Sequence, residues 1–278
     1  MANNARLKYP QMTLEFFTEC AMGHMPGIKT INKFGRNIEV DSGVTADVWD
    51  GGYTLASGGE SLIWVAPTTA RVHAIVSTSD NDSDVGGVVA QGDGARTIKI
   101  FGLTDWNTAE VSEDIVMDGT TAVNTSNSYV IIHRMRVLTK GGNANVNVGL
   151  ITATAAAPDS TVTAQIRIGQ GQTQMAIYGI PSTQIMYMNC LYVSALKAAG
   201  ASSLVDISLL VNPEPDAEET AFLTKHTLGL STAGTSAKDA VFVPPKTISG
   251  PAIIKVQALS GSNDMDVSAG FNAIVVDN

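Results

Sequence analysis

The chain is short of charge, of cysteine and of long apolar runs, and each shortage closes off a class of function. Asp, Glu, Lys and Arg make up 15% of its 278 residues, against about 25% in an average globular domain. The 17 basic residues are outnumbered by 26 acidic ones, for a formal net charge of −9. A general nucleic-acid binder needs a basic patch to meet phosphate, and an anionic membrane surface attracts basic segments. Neither partner is expected. No apolar stretch approaches the roughly 20 residues that span a bilayer. The opening Met1-Ala2-Asn3-Asn4-Ala5-Arg6-Leu7-Lys8 has charge but no apolar run behind it, so no signal peptide is read there. Cys20 and Cys190 stand far apart, which argues against a disulfide framework and fits a reducing compartment.

Catalytic and metal signatures are missing too. His24, His73, His133 and His226 show no metal-ligand spacing, and no Cys–His cluster exists for zinc. Gly229-Leu230-Ser231-Thr232-Ala233-Gly234 is not a nucleophile elbow. Gly169-Gln170-Gly171 fails the dinucleotide fingerprint, and no phosphate loop occurs. Asp80-Asn81-Asp82-Ser83-Asp84 opens like a calcium loop, but Val85 and Gln91 stand where an EF-hand needs Gly and Glu. It reads as a solvated turn, with a weak calcium site as the alternative. The neighbours Glu113 and Asp114, and Glu218 and Glu219, point apart in extended chain and do not form a glycosidase pair. No catalytic residue, metal site or cofactor is assigned, and the chain is not expected to be an enzyme. Trp64 reads as core; Trp49 and Trp106 are freer and could join a glycan platform.

What the sequence has is strand and turn. From Gly27 onward short apolar runs alternate with Gly- and Asn-rich turns: Ser61–Val65 before Pro67, Arg71–Val76, Thr97–Phe101 and Tyr129–Leu138, several with a period of two. That texture predicts an all-β chain of antiparallel β-sandwich, jelly-roll-like units. The pattern also recurs. Ile63-Trp64-Val65-Ala66-Pro67 returns as Ile177-Tyr178-Gly179-Ile180-Pro181, and Val130-Ile131-Ile132 returns as Ala252-Ile253-Ile254. The Gly142–Gly149 turn, with its closing strand, returns as Ser262–Gly270. Three matches in order predict a tandem duplication of about 120 residues. The seam falls at the small-residue linker Ala155-Ala156-Ala157-Pro158-Asp159, giving domains 28–156 and 157–278.

Residues 1–27 stand outside the repeat. Thr13–Met22 can form a short amphipathic helix, with Thr13 as N-cap and Gly23 and Pro26 beyond its end. It is either a strap on its own domain or an arm for a partner subunit. In the second case Leu14, Phe16, Phe17, Met22 and Met25 would be the contact residues.

Three phrases carry a resemblance: Thr30-Ile31-Asn32-Lys33-Phe34-Gly35-Arg36-Asn37, then Asp47-Val48-Trp49-Asp50-Gly51-Gly52, then Gly94-Ala95-Arg96-Thr97. They resemble the opening domain of a virion structural protein family of marine tailed phages. Gly171–Tyr178, Lys225–Gly229 and Asp266–Phe271 are similar to that family as well. The resemblance spans residues 28–278 and implies a structural component of the particle. Together with the missing catalytic motifs it suggests a capsid decoration, cement or head-fibre protein in the virion. Such a protein would act as a homotrimer on other virion proteins, the major capsid protein first among them. A tail or fibre component binding a host glycan through exposed Trp and Tyr, and a capsid-forming double jelly roll, remain open.

Overall fold

The computed structural model describes residues 14–50, 63–84, 92–197, 203–217, 221–233, 236–263 and 265–278. Among them one helix, α1 (Leu14–Ala21), precedes sixteen strands. The alternating runs became strands wherever one face could be buried. In β3 (His73–Ser77) residues 73, 75 and 77 are buried and their neighbours half-buried. The same alternation runs through most of β4 (Ala95–Leu103) and, in β7 (Ile131–Lys140), from His133 to Arg136. The run at 63–65 is not a strand. The Trp64 amide donates instead to the Asp47 carboxylate (2.9 Å) and the Trp64 indole to the Thr163 carbonyl (2.8 Å).

The strands build four antiparallel sheets. The first runs β1 (Ile28–Val40), β16 (Met265–Asp277), β11 (Gln184–Lys197), β14 (Ala237–Ser249). The second runs β10 (Ile177–Ile180), β15 (Ala252–Ser260), β12 (Leu204–Asn212), β13 (Leu223–Ser231), with β2 (Thr45–Asp47) also on β15. The third runs β6 (Val123–Asn124), β3, β8 (Ile151–Ala155), β9 (Val162–Ile166). The fourth runs β5 (Val111–Val116), β4, β7. Two buried clusters follow. Met186, Leu191 and Phe271 of the first sheet meet Ile207, Leu209 and Ile254 of the second. Ile75, Ile151 and Ile166 of the third meet Ile98, Ile100 and Met135 of the fourth, joined by Trp49 and Trp64. Each such side chain, fully buried, contributes about 1.5–3 kcal/mol.

Strand pairing does not follow the division into 28–156 and 157–278. β1 and β2 pair with β16 and β15, at the far end of the chain. β9, from beyond the seam, pairs with β8. Otherwise the two groups order their strands alike: β6-β3-β8-β9 beside β14-β11-β16-β1, and β5-β4-β7 beside β13-β12-β15. The chain therefore crosses from one core to the other just after β2. Val48 belongs to the first cluster and Trp49 to the second.

Side chains of β1 hold that crossing. Asn37, fully buried, accepts the amides of Trp49 (3.1 Å) and Asp50 (3.0 Å) and donates to the Asp47 carbonyl (2.5 Å). Gly35 leaves room for it: a Cβ there would lie 2.5 Å from the Val48 oxygen and the Ala176 nitrogen. Asp50 turns the chain with φ of 69°, a conformation Asp tolerates better than most residues. Beside it the buried Asp47 carboxylate takes Lys255 Nζ at 2.7 Å and Gln257 Nε2 at 2.9 Å. Burial raises the Asp47 carboxyl, and the Lys255 charge and hydrogen bond oppose the rise.

Removing one partner of a buried ion pair leaves the other charge stranded, at about 3–5 kcal/mol. Asp47→Ala and Lys255→Ala should each lower stability by that amount in urea unfolding. The double variant Asp47→Leu/Lys255→Met should lose much less than the sum of the two. Additive losses would show that the pair does not act as a unit.

Candidate functional site

Most side chains that looked chemical in the sequence serve the scaffold. Trp49, Trp64 and Trp106 are 1%, 2% and 7% exposed, so none can stack on a glycan. The platform fails because Trp49 and Trp64 seal the second cluster at the crossing and Trp106 lies among the same residues. The acidic turn is not uniformly solvated either. Asp82 is fully buried and accepts from Ser77 Oγ and from the amides of Ala95, Val148 and Gly149 at 2.6–2.9 Å. Four donors fill its lone pairs, which explains why a carboxylate can sit there. Asp80, on the surface, accepts from Thr120, whose hydrogen bonds hold its carboxyl below the usual range. Among the described residues no group of three or more His, Cys, Asp or Glu is placed to hold a metal ion. Nor is any helix long and apolar enough to cross a membrane.

Of the expected partner-binding residues, Leu14, Phe16 and Phe17 fall in α1, and their side chains lie outside the described set. Met22 is 60% exposed. Met25 is half-buried, its sulfur 3.4 Å from the Sγ of the buried Cys20. α1 touches β1.

The structure assembles one site that the sequence reading missed. A cleft of about 380 Å³ opens where β1 passes β7 and the segment 172–178. In β1 the inward positions are Ile31, Lys33, Gly35 and Asn37, so the alternation puts a lysine on the buried face. That misplaced charge was the available signal. Lys33 is 9% exposed, and its ammonium donates to the His133 carbonyl. Burial, and then the Arg134 charge, press its pKa from 10.5 to about 7, against the pull of Glu110.

His133 packs against the Tyr178 ring, with centroids 4.5 Å apart, and its Nε2 lies 2.7 Å from Glu110 Oε2. Burial alone would raise Glu110. The His133 hydrogen bond and charge, with Lys29 and Lys33 nearby, outweigh it and hold the carboxyl at about 2. Burial lowers His133, while the Glu110 hydrogen bond and charge pull it the other way. His133 Nδ1 is buried and unpartnered. At the mouth stand Phe34, 37% exposed, and Phe101, with the Arg134 and Arg136 guanidiniums 5.6 and 5.9 Å from the Phe101 ring. Arg134 also reaches Gln172 (3.4 Å). The result is a recess with cations and aromatic rings around a single carboxylate.

Glu110 contributes stability as the carboxylate, because its folded pKa lies below the ordinary 4.5. That contribution is complete above about 4.5 and is lost as pH falls toward about 2. Glu110→Gln should be less stable than the parent at pH 7, and the gap should close on acidification through that window. Urea midpoints measured from pH 7 to pH 2 check it; a gap that stays constant would refute the coupling.

No family model matches this chain, and no curated protein matches it either. Among solved structures it is similar to the infectious bursal disease virus VP2 subviral particle. There the identity is 10% and the TM-score 0.22, over 95% of this chain and 78% of that one. The T13 particle of the same virus gives 9% identity and a TM-score of 0.24, over 90% and 69%. The mosquito-larvicidal Cry4Aa toxin of Bacillus thuringiensis gives 9% and 0.22, over 90% and 52%. At these scores the likenesses carry no argument, and the chain stands on its own residues as an all-β protein of antiparallel sheets.

Proposed function

We propose that this chain is a structural component of a virus particle, and in a tailed phage a capsid decoration, cement or head-fibre protein. One observation carries the reading. The phrases that resemble a virion structural family are the ones that build the crossing: Gly35 and Asn37 of β1, and Asp47 to Asp50 after it. What this chain has in common with that family is thus architecture rather than a reaction centre. The likeness of strand order extends the reading. The chain is two repeats, each a sandwich, that have exchanged their leading strands: β1 and β2 from one, β9 from the other. Such an exchange ties both halves into one body suited to load.

A homotrimer bound to the shell, with the major capsid protein as partner and the virion as location, completes the proposal. The edge strand β14 offers a surface for contact. Its pairing with β11 is interrupted between Cys190 and Met188, and Val241 and Val243 there are 69% and 88% exposed. Edge strands with exposed apolar residues are where sheets find partners. The N-terminal segment, with Leu14, Phe16, Phe17, Met22 and Met25, is the second contact in this reading. We assign no catalytic role, because the His133 imidazole is stacked under Tyr178 and committed to Glu110.

Copy number separates head from tail. Quantitative mass spectrometry of particles carrying this chain should find hundreds of copies; a dozen or so would move it to the tail, and none would remove it from the virion. Val243→Glu should abolish self-association in analytical ultracentrifugation while changing folding stability by less than about 0.5 kcal/mol, as exposed substitutions do. An unchanged oligomer would exclude the β14 edge.

A further inference from the structure

We infer that the cleft between β1 and β7 is a binding site for a carboxylate-bearing saccharide. Its occupant must answer four features at once. First, Lys33 is a recessed ammonium with three donor hydrogens, and among the described residues the one acceptor it meets is the His133 carbonyl. Among the described residues no carboxylate comes within ion-pair distance of it; Glu110 is instead 3.9 Å from Lys29 and hydrogen-bonded to His133. An anionic group from outside would supply the missing partner.

Second, charge around the recess is inverted relative to the protein. Lys29, Lys33, Arg134 and Arg136 face one carboxylate, Glu110, on a chain of net charge −9. Third, the lining includes Thr30 and Gln172, beside Asn32 and Thr173, which are already bonded to Asn272 and Met135. A hydroxyl-rich ligand can meet the hydroxyl of Thr30 and the amide of Gln172. Fourth, Phe34 and Phe101 are among the lining residues. Ring faces with a few placed polar groups are the usual lining of a small-ligand pocket, and 380 Å³ sits at the lower end of the ~300–1,000 Å³ such pockets occupy. That size suits one or two sugar rings. A bare inorganic anion would leave the aromatic rings and the amide walls unused. The inference is independent of whether the chain sits on a head or a tail.

Calorimetric titration of the full chain at pH 6 tests it. The probes are glucuronic acid and N-acetylneuraminic acid, with glucose, N-acetylglucosamine and inorganic phosphate as controls. Both sugar acids should bind with dissociation constants of about 1 mM or tighter, at least tenfold better than either neutral sugar or phosphate. Lys33→Met should reduce the sugar-acid affinity at least tenfold, and Arg134→Ala or Phe34→Ala at the exposed mouth should reduce it severalfold. Lys33→Met replaces a buried cation with an isosteric apolar chain, so its melting temperature should match or exceed the parent's.

Affinity should fall as pH rises above about 7 and Lys33 loses its proton. Lys29 on β1, His133 and Arg134 on β7, Glu110 before β5 and Tyr178 on β10 are the other groups facing it. Equal binding of neutral sugars, equal binding of phosphate, unchanged affinity in folded Lys33→Met, or no heat from either acid at about 10 mM would each overturn the assignment.

Discussion

The structure hangs on one buried carboxylate. Asp47 sits at the end of β2, where the chain leaves one core for the other, and its carboxylate has three donors around it. Lys255 and Gln257 come from β15, the strand that β2 joins. The Trp64 amide comes from the segment that enters the second core. One side chain thus fixes both sides of the crossing. An isolated carboxylate in that position would lose its charge to a proton, since burial pushes its pKa up; the ammonium of Lys255 is what opposes this. Lys255 is itself 4% exposed, with the Phe222 ring 4.3 Å from its nitrogen. Buried pairs of this kind add little net stability over apolar residues, but losing one partner is costly.

The rest of the crossing follows from that choice. β1 must lie along β16 for its eleven paired positions, so its inward face meets the crossing segment. Gly35 is required because backbone passes on that side. Asn37 serves the turning segment because its one side-chain amide accepts from the Trp49 and Asp50 amides and donates to the Asp47 carbonyl. Arg36, on the outward face, closes the edge by pairing with Asp266 of β16 at 2.8 Å and receiving the Asp50 amide on its carbonyl. On the other side Arg71 and Thr68 bind Asp159, just past the expected seam. Both junctions between the halves are therefore ionic, in a chain that uses charge sparingly.

This explains what could be read from the sequence. The alternation of β3, β4 and β7 was legible because each has one buried face and the period of two follows from the pleat. The recurring phrases were less informative: Ile177–Ile180 is strand β10, while its match at 63–65 forms no strand. The partners of β1 and β9 were not legible. Pairing between residues 28–40 and 265–277 is set by tertiary packing, and no local pattern encodes which of two similar sheets a strand will join. Trp64 illustrates the limit: its run looked like a strand, but its amide was claimed by Asp47. Asp82 illustrates another. The spacing of acidic residues in the turn says nothing about four donors arriving from residues 77, 95, 148 and 149.

The cleft beside β1 is a consequence of the same crossing. It needs Lys33 from a strand laid along β16, His133 and Arg134 from β7 of the other group, and Gln172 and Tyr178 from the segment running between them. Laying β1 along β16 thus places a cation beside β7, and it does so at a cost. A lysine whose pKa is pressed from 10.5 to about 7 by burial and by Arg134 destabilises the fold fully below about pH 7, and the cost fades only as pH rises to 10.5. A scaffold indifferent to ligands would hold a Met or Leu there, in line with Ile31. Retaining a charge on the buried face of a strand, with its donors unspent, is the physical argument that β1 does more than close a sheet.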